Sequence, residues 1–111
     1  MQGMQPATDV VAAQFQQGQY MEQTFQMSGG KCYGAVAAGA GVNGINIKFV
    51  LLQPIPGVTN PVLAEASGGS QTALGGRGKC FKWAFPVGAN VKAVYTATAG
   101  SGIAAGRVYV K

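Results

Sequence analysis

The chain of 111 residues contains no histidine, and its only acids are Asp9, Glu22 and Glu65. Without histidine it lacks the commonest general base and the commonest nitrogen ligand for metals. With one carboxylate beyond residue 22, a pair of carboxylates for acid–base hydrolysis can hardly be assembled. Cysteine is scarce as well, and Cys32 and Cys80 alone fall short of the four ligands of a structural zinc site. Unbroken apolar runs such as Phe49-Val50-Leu51-Leu52 are far too short for a membrane-spanning helix. The start, Met1-Gln2-Gly3-Met4, does not read as a signal peptide. Charged residues make up 10% of the chain, less than half of the usual share of about 25%. These scarcities lead to the expectation of a protein that binds or builds, with no enzymatic activity, no cofactor and no metal.

Glycine is abundant: 18 residues, about twice the usual frequency. That load argues against a helical bundle and for short strands joined by many turns. All eight Lys and Arg lie beyond residue 22, where Glu65 is the only acid, so the net charge of +5 is carried by the larger part of the chain. Nucleic acid, anionic polysaccharide and anionic lipid would all feel that field, which also serves plain solubility. The two cysteines follow matching steps, Gly30-Lys31-Cys32 and Gly78-Lys79-Cys80. They are either a disulfide or two unrelated buried thiols. The low-charge, Gly-, Ser- and Thr-rich composition favours the disulfide Cys32–Cys80 and an oxidising compartment, secreted or cell-surface.

Residues 7 to 18 are expected to form a short helix, with Thr8 or Asp9 as cap, Pro6 before it and Gly18 as its stop. Residues 1–19 thus read as an N-terminal extension and residues 20–111 as a β domain. From Tyr20 the pattern has period two: Gln23, Phe25 and Met27 oppose Glu22, Thr24 and Gln26. Cys32, Gly34, Val36 and Ala38 alternate with Tyr33, Ala35 and Ala37. Residues 39–44 read as a flexible loop, and Ile45, Ile47, Phe49 and Leu51 give the strongest strand signal. Prolines 54, 56 and 61 break regularity before Val62-Leu63-Ala64. Gln71 to Leu74 is a further strand candidate. Val91, Ala93, Tyr95 and Ala97 mark another, Gly100-Ser101-Gly102 a hairpin turn, and Ile103 to Val110 the closing strand. Seven to eight short strands at this spacing indicate an all-β antiparallel sandwich.

Three stretches carry a likeness: Ser28-Gly29-Gly30-Lys31-Cys32-Tyr33, then Ile45 through Pro54, then Val91 through Val110. Over residues 20 to 111 they resemble bacterial pre-peptidase C-terminal-like domains, in particular small cysteine-containing versions in secreted proteins of myxobacteria. The resemblance implies a jelly-roll-like sandwich, export from the cytoplasm and no catalysis by the domain itself. Family members often carry aspartates on the strand matching residues 45–52. This chain has Asn46 and Lys48 there, which argues against calcium.

One segment concentrates aromatic and basic character. In a strand, Phe81, Trp83 and Phe85 share a face and Lys82 lies opposite. Such a face is either core or a platform that stacks on sugars or bases. Lys79, Lys82, Lys92 and Arg107 would supply adjacent positive charge, so Lys79, Phe81, Lys82, Trp83 and Phe85 are the candidate ligand-binding residues. Serines 28, 67, 70 and 101 are expected in glycine-rich turns with no histidine to activate them. The leading expectation is a structural or adhesive module. Its rivals are a homo-oligomer or polymer in which residues 1–27 reach a neighbouring copy, and a module for polysaccharide or another anionic polymer. Nucleic acid is the less favoured partner, because paired cysteines point away from the cytosol.

Overall fold

The computed structural model describes residues 4–52, 61–75, 80–83 and 88–111. Among them every regular element is a strand, and all pairings are antiparallel. The strands are β1 (Gln5–Pro6), β2 (Val11–Phe15), β3 (Tyr20–Met27), β4 (Cys32–Leu51), β5 (Val62–Gly68), β6 (Gln71–Leu74), β7 (Phe81–Lys82) and β8 (Ala89–Val110). No helix of the described residues is long and apolar enough to cross a membrane.

The frame is a ribbon of two long strands. β4, 20 residues, pairs with β8, 22 residues, from Tyr33↔Val110 to Leu51↔Val91. Six short strands line its two edges. β1, β2 and β3 pair with β8, and β5, β6 and β7 pair with β4. All eight belong to one continuous sheet.

Midway, the ribbon bends. Its register shifts between Ala40 and Val42, between Val42 and Gly44, and between Gly44 and Ile45. Each shift is a bulge, which bends a strand and sharpens its twist. Gly41 (φ 85°) and Gly100 (φ 77°) face each other across the bend in left-handed conformations that favour glycine. The bend brings the halves together. Phe25, on β3, meets Tyr33 at the far end of β4 with ring centroids 5.8 Å apart. Thr72, buried on β6, donates its hydroxyl to the Ile45 carbonyl at 3.0 Å. A Cβ built on Gly106 would lie 2.6 Å from the ring of Tyr95. The core fills the space between the halves: Met27, Ile45, Ile47, Phe49, Val91 and Val108 are at most 2% exposed. Phe25 and Phe49 meet edge-on at 5.3 Å, a geometry worth about 0.5–1.5 kcal/mol beyond burial.

Three expectations are corrected. Residues 7 to 18 do not form a helix. Val11, Ala13 and Phe15 turn toward the core while Ala12 and Gln14 are exposed, a period of two, and β2 pairs with β8 from Val11↔Gly106 to Phe15↔Gly102. Pairing with a small-residue strand outweighs the weak helix propensity of a short Gln- and Val-containing segment. Strands on both sides of the expected boundary at residue 19 therefore share β8 as partner. Residues 39–44 and 100–102 are not a loop and a hairpin turn but the bulged middle of β4 and β8. Ser67 and Ser101 accordingly sit in strands.

Tyr95 and Gly106 fit closely in the core. Tyr95 is 1% exposed and its hydroxyl has no hydrogen-bond partner among the described residues. Burial pushes its titration well above the ordinary tyrosine range. The unfolded chain therefore loses this proton near pH 10 while the folded chain keeps it, so stability falls as pH rises above about 10. Gly106→Ala is expected to cost about 1–3 kcal/mol in urea unfolding, because the buried ring cannot swing aside. Tyr95→Phe is expected to match or exceed the parent at neutral pH, since it removes an unsatisfied hydroxyl. It should also flatten the alkaline loss, and an unchanged slope above pH 10 would contradict this assignment.

Candidate functional site

The predicted aromatic segment divides between core and surface. Trp83 is 1% exposed and Phe81 packs, partly buried, against the same core. The Trp83 backbone is held by Gly30 N–H donating to its carbonyl at 2.9 Å and by its own N–H donating to the Lys31 carbonyl at 3.0 Å. A ring enclosed in this way offers no face for stacking, so burial supports the core role for Trp83 rather than the platform. Phe85 and Lys79 lie outside the described residues. Lys82 is exposed. Its strand partner is Cys32, and Cys32 is bonded to Cys80 with a Cα–Cα separation of 5.5 Å.

Alternation along the strands sorts the outer surface of the bent sheet into two unlike faces. The half built on residues 45–51 and 89–97 carries a polar, internally paired face. Asn46 donates its amide to Glu65 Oε2 at 3.1 Å and to Ser67 Oγ at 2.7 Å. Lys48 stands 3.7 Å from Glu65, and Lys92 pairs with Glu22.

The other half carries an open groove of about 510 Å³. Short apolar side chains form most of its floor, set by the strand registers: Val36↔Ala73 beside Arg107 in one row, Ala105↔Ala38 beside Gln71 in the next. Tyr109 and Val10, the latter 56% exposed, stand at its sides. Gly34 lies opposite Tyr109. One row further, Lys111 and Lys82 flank Cys32 on its two neighbouring strands: Lys111 and Cys32 exchange backbone hydrogen bonds at 2.8 and 3.2 Å, and Lys82 is in register.

Among the described residues of the groove lining, Arg107 is the one charged side chain. Its Nε–H donates to the Thr8 carbonyl at 2.8 Å, and the Thr8 hydroxyl accepts the Val108 N–H at 3.1 Å. The segment between β1 and β2 thus fixes the guanidinium stem. Among the described residues, the ion pairs engage Lys48, Glu65, Lys92 and Glu22, so none engages Arg107, Lys82 or Lys111. The described residues contain no group of three His, Cys, Asp or Glu side chains that could hold a metal ion. The arrangement suits recognition by contact: an apolar floor, one oriented guanidinium and two further cations at one end.

Of the described candidate residues named from sequence, the structure brings Lys82 to this face, together with Arg107, named there as adjacent charge, and the disulfide. The alanines, Val36 and Tyr109 were missed. The available signal was that residues 32–40 are apolar on both faces, Tyr33, Ala35 and Ala37 on one and Val36 and Ala38 on the other. An antiparallel strand with one solvated face normally alternates apolar with polar.

No family model matches the chain, and no curated protein matches it. Among solved structures it is similar to the crystal structure of Aeromonas hydrophila PliG, a periplasmic lysozyme inhibitor of g-type lysozyme. The TM-score is 0.52 at 12% identity, covering 96% of this chain and 86% of that one. At that identity the likeness is one of fold.

The enclosure of Trp83 is checked by fluorescence. Emission from this sole tryptophan is expected to be blue-shifted and weakly quenched by acrylamide until the protein unfolds. Quenching in the native state as strong as that of free tryptophan would place the ring at the surface.

Proposed function

We propose that the chain is a non-enzymatic β-module of an oxidising, extracytoplasmic compartment, with a structural or adhesive role exercised by presenting a rigid face to another macromolecule. In this reading the bent sheet is a jelly-roll-like β-sandwich. The observation that carries the proposal is the Cys32–Cys80 disulfide, which closes a loop of 48 residues and ties β4 to the segment that opens β7. A bond of this kind persists outside the reducing cytoplasm and is rare within it. The similar structure is that of a periplasmic lysozyme inhibitor, which supports the same reading, as does the sequence resemblance to pre-peptidase C-terminal-like domains.

Fractionation of the native host combined with thiol alkylation tests this. The protein is expected outside the cytoplasm, with both cysteines resistant to alkylation until reductant is added. Recovery from the cytoplasm with two alkylatable thiols would overturn the proposal. Replacing both residues (Cys32→Ser with Cys80→Ser) is expected to lower stability by about 2–4 kcal/mol in urea unfolding, through the freedom restored to the unfolded chain.

A further inference from the structure

We infer that the groove around Arg107 is a docking site for an extended, acidic protein segment, one that lays apolar side chains on the alanine floor and directs carboxylates to Arg107, Lys82 and Lys111. The inference rests on the binding-module reading above and names the partner's chemistry.

Charge is the first argument. The three cations share one face, and the acids on β3 and β5, Glu22 and Glu65, are committed to Lys92 and Lys48 on the other half. Asp9 is exposed near the groove, but it forms no ion pair with Arg107. A guanidinium whose stem is fixed by a backbone carbonyl keeps its outer N–H groups for a second acceptor. Carboxylate matches that fork in a two-point contact. The Thr8 anchor also means that little side-chain freedom remains to be lost on binding.

Shape is the second argument. The floor spans three strands, β8, β4 and β6, which is roughly 10 Å across at the usual strand spacing. From the Ala40 row to the Cys32 row the face runs eight residues of β4, roughly 26 Å. That is the length of about eight residues of extended chain. The groove is open along its length, whereas small ligands are held in sites that bury most of their surface. Its floor is too apolar for a polysaccharide, whose hydroxyls would lose water without gaining partners on Val36, Ala38, Ala73 and Ala105.

The test uses a fluorescein-labelled eight-residue peptide with leucines in its first half and glutamates in its second. A companion carries glutamine in place of glutamate, and labelled heparin is the third probe. Fluorescence anisotropy is expected to show saturable binding of the acidic peptide that weakens with added salt. The glutamine companion should bind roughly tenfold or more weakly, in line with the loss of charge-assisted hydrogen bonds. Arg107→Gln should produce a similar loss, and Ala38→Glu, which puts an acid on the floor, should abolish binding. Both variants are first checked for native Trp83 emission. Ala38 is exposed and the Arg107 side chain lies outside the core, so neither substitution removes a core side chain.

Four results would overturn the inference: no binding of the acidic peptide, equal binding of the glutamine companion, binding unchanged by both substitutions, or heparin binding that displaces the peptide and is abolished by Ala38→Glu. Sedimentation of the free protein supplies a further arm. A homodimer abolished by Ala38→Glu would assign the face to a second copy instead. Peptide binding together with cytoplasmic free thiols would retain the groove and discard the compartment, so the two proposals fail separately.

Discussion

The antiparallel pairing of β4 with β8 is the interaction on which everything else depends. It joins residues 33–51 to residues 91–110, so most of its contacts close long loops. Such contacts repay their chain-entropy cost only when both strands are in place. Each short strand then has a ready edge to join. β1, β2 and β3 dock on β8 in the reverse of chain order along its length, and β5, β6 and β7 dock on β4. A two-stranded ribbon has no core of its own. The bulges from Ala40 to Ile45 and the glycines at 41 and 100 supply one by letting the ribbon bend, so that its two halves bury their inner faces against each other.

Period-two alternation made the strands legible where each had one apolar face. Phe25 and Met27, Ile45, Ile47 and Phe49, and Val91, Ala93, Tyr95 and Ala97 all point inward as the sequence pattern requires. The cysteine pairing was legible too, from composition and from the matching steps before each residue. What misled was glycine. In the stretches 39–44 and 100–102 it signals a turn when read locally, because a turn and a bulge both need small residues in unusual conformations. Only the partner strand decides between them, and partner identity is non-local information. The apparent helix over 7–18 has the same origin. Its capping and stop residues are real local signals, but Val11, Ala13 and Phe15 gain more by covering the core beside β8.

The candidate site was the least legible part. Sequence reading searched for large aromatics and found Trp83, which this chain spends on its core. The open face is made instead of residues with little individual character, Val36, Ala38, Ala73 and Ala105. Their number on one surface emerges only when β8, β4 and β6 are laid side by side. Arg107 illustrates the same limit. Its charge was counted, but the Thr8 carbonyl that orients it lies 99 positions away in sequence.

The groove and the core are two sides of one strand segment. Along Ala104–Val108 the inward positions are Ala104, Gly106 and Val108, and the outward ones are Ala105 and Arg107. Gly106 admits the Tyr95 ring so closely that even a methyl group would collide with it. The backbone there is consequently pressed against an aromatic plate, and the outward side chains have a rigid support. A larger inward residue would push β8 outward and tilt Ala105 and Arg107 away from Ala38 and Val36, because packed interiors transmit displacement rather than absorb it. The shape of the outer face is therefore constrained from its inner side, at Gly106. The absence of a side chain at position 106 is part of the surface on the opposite side of the sheet.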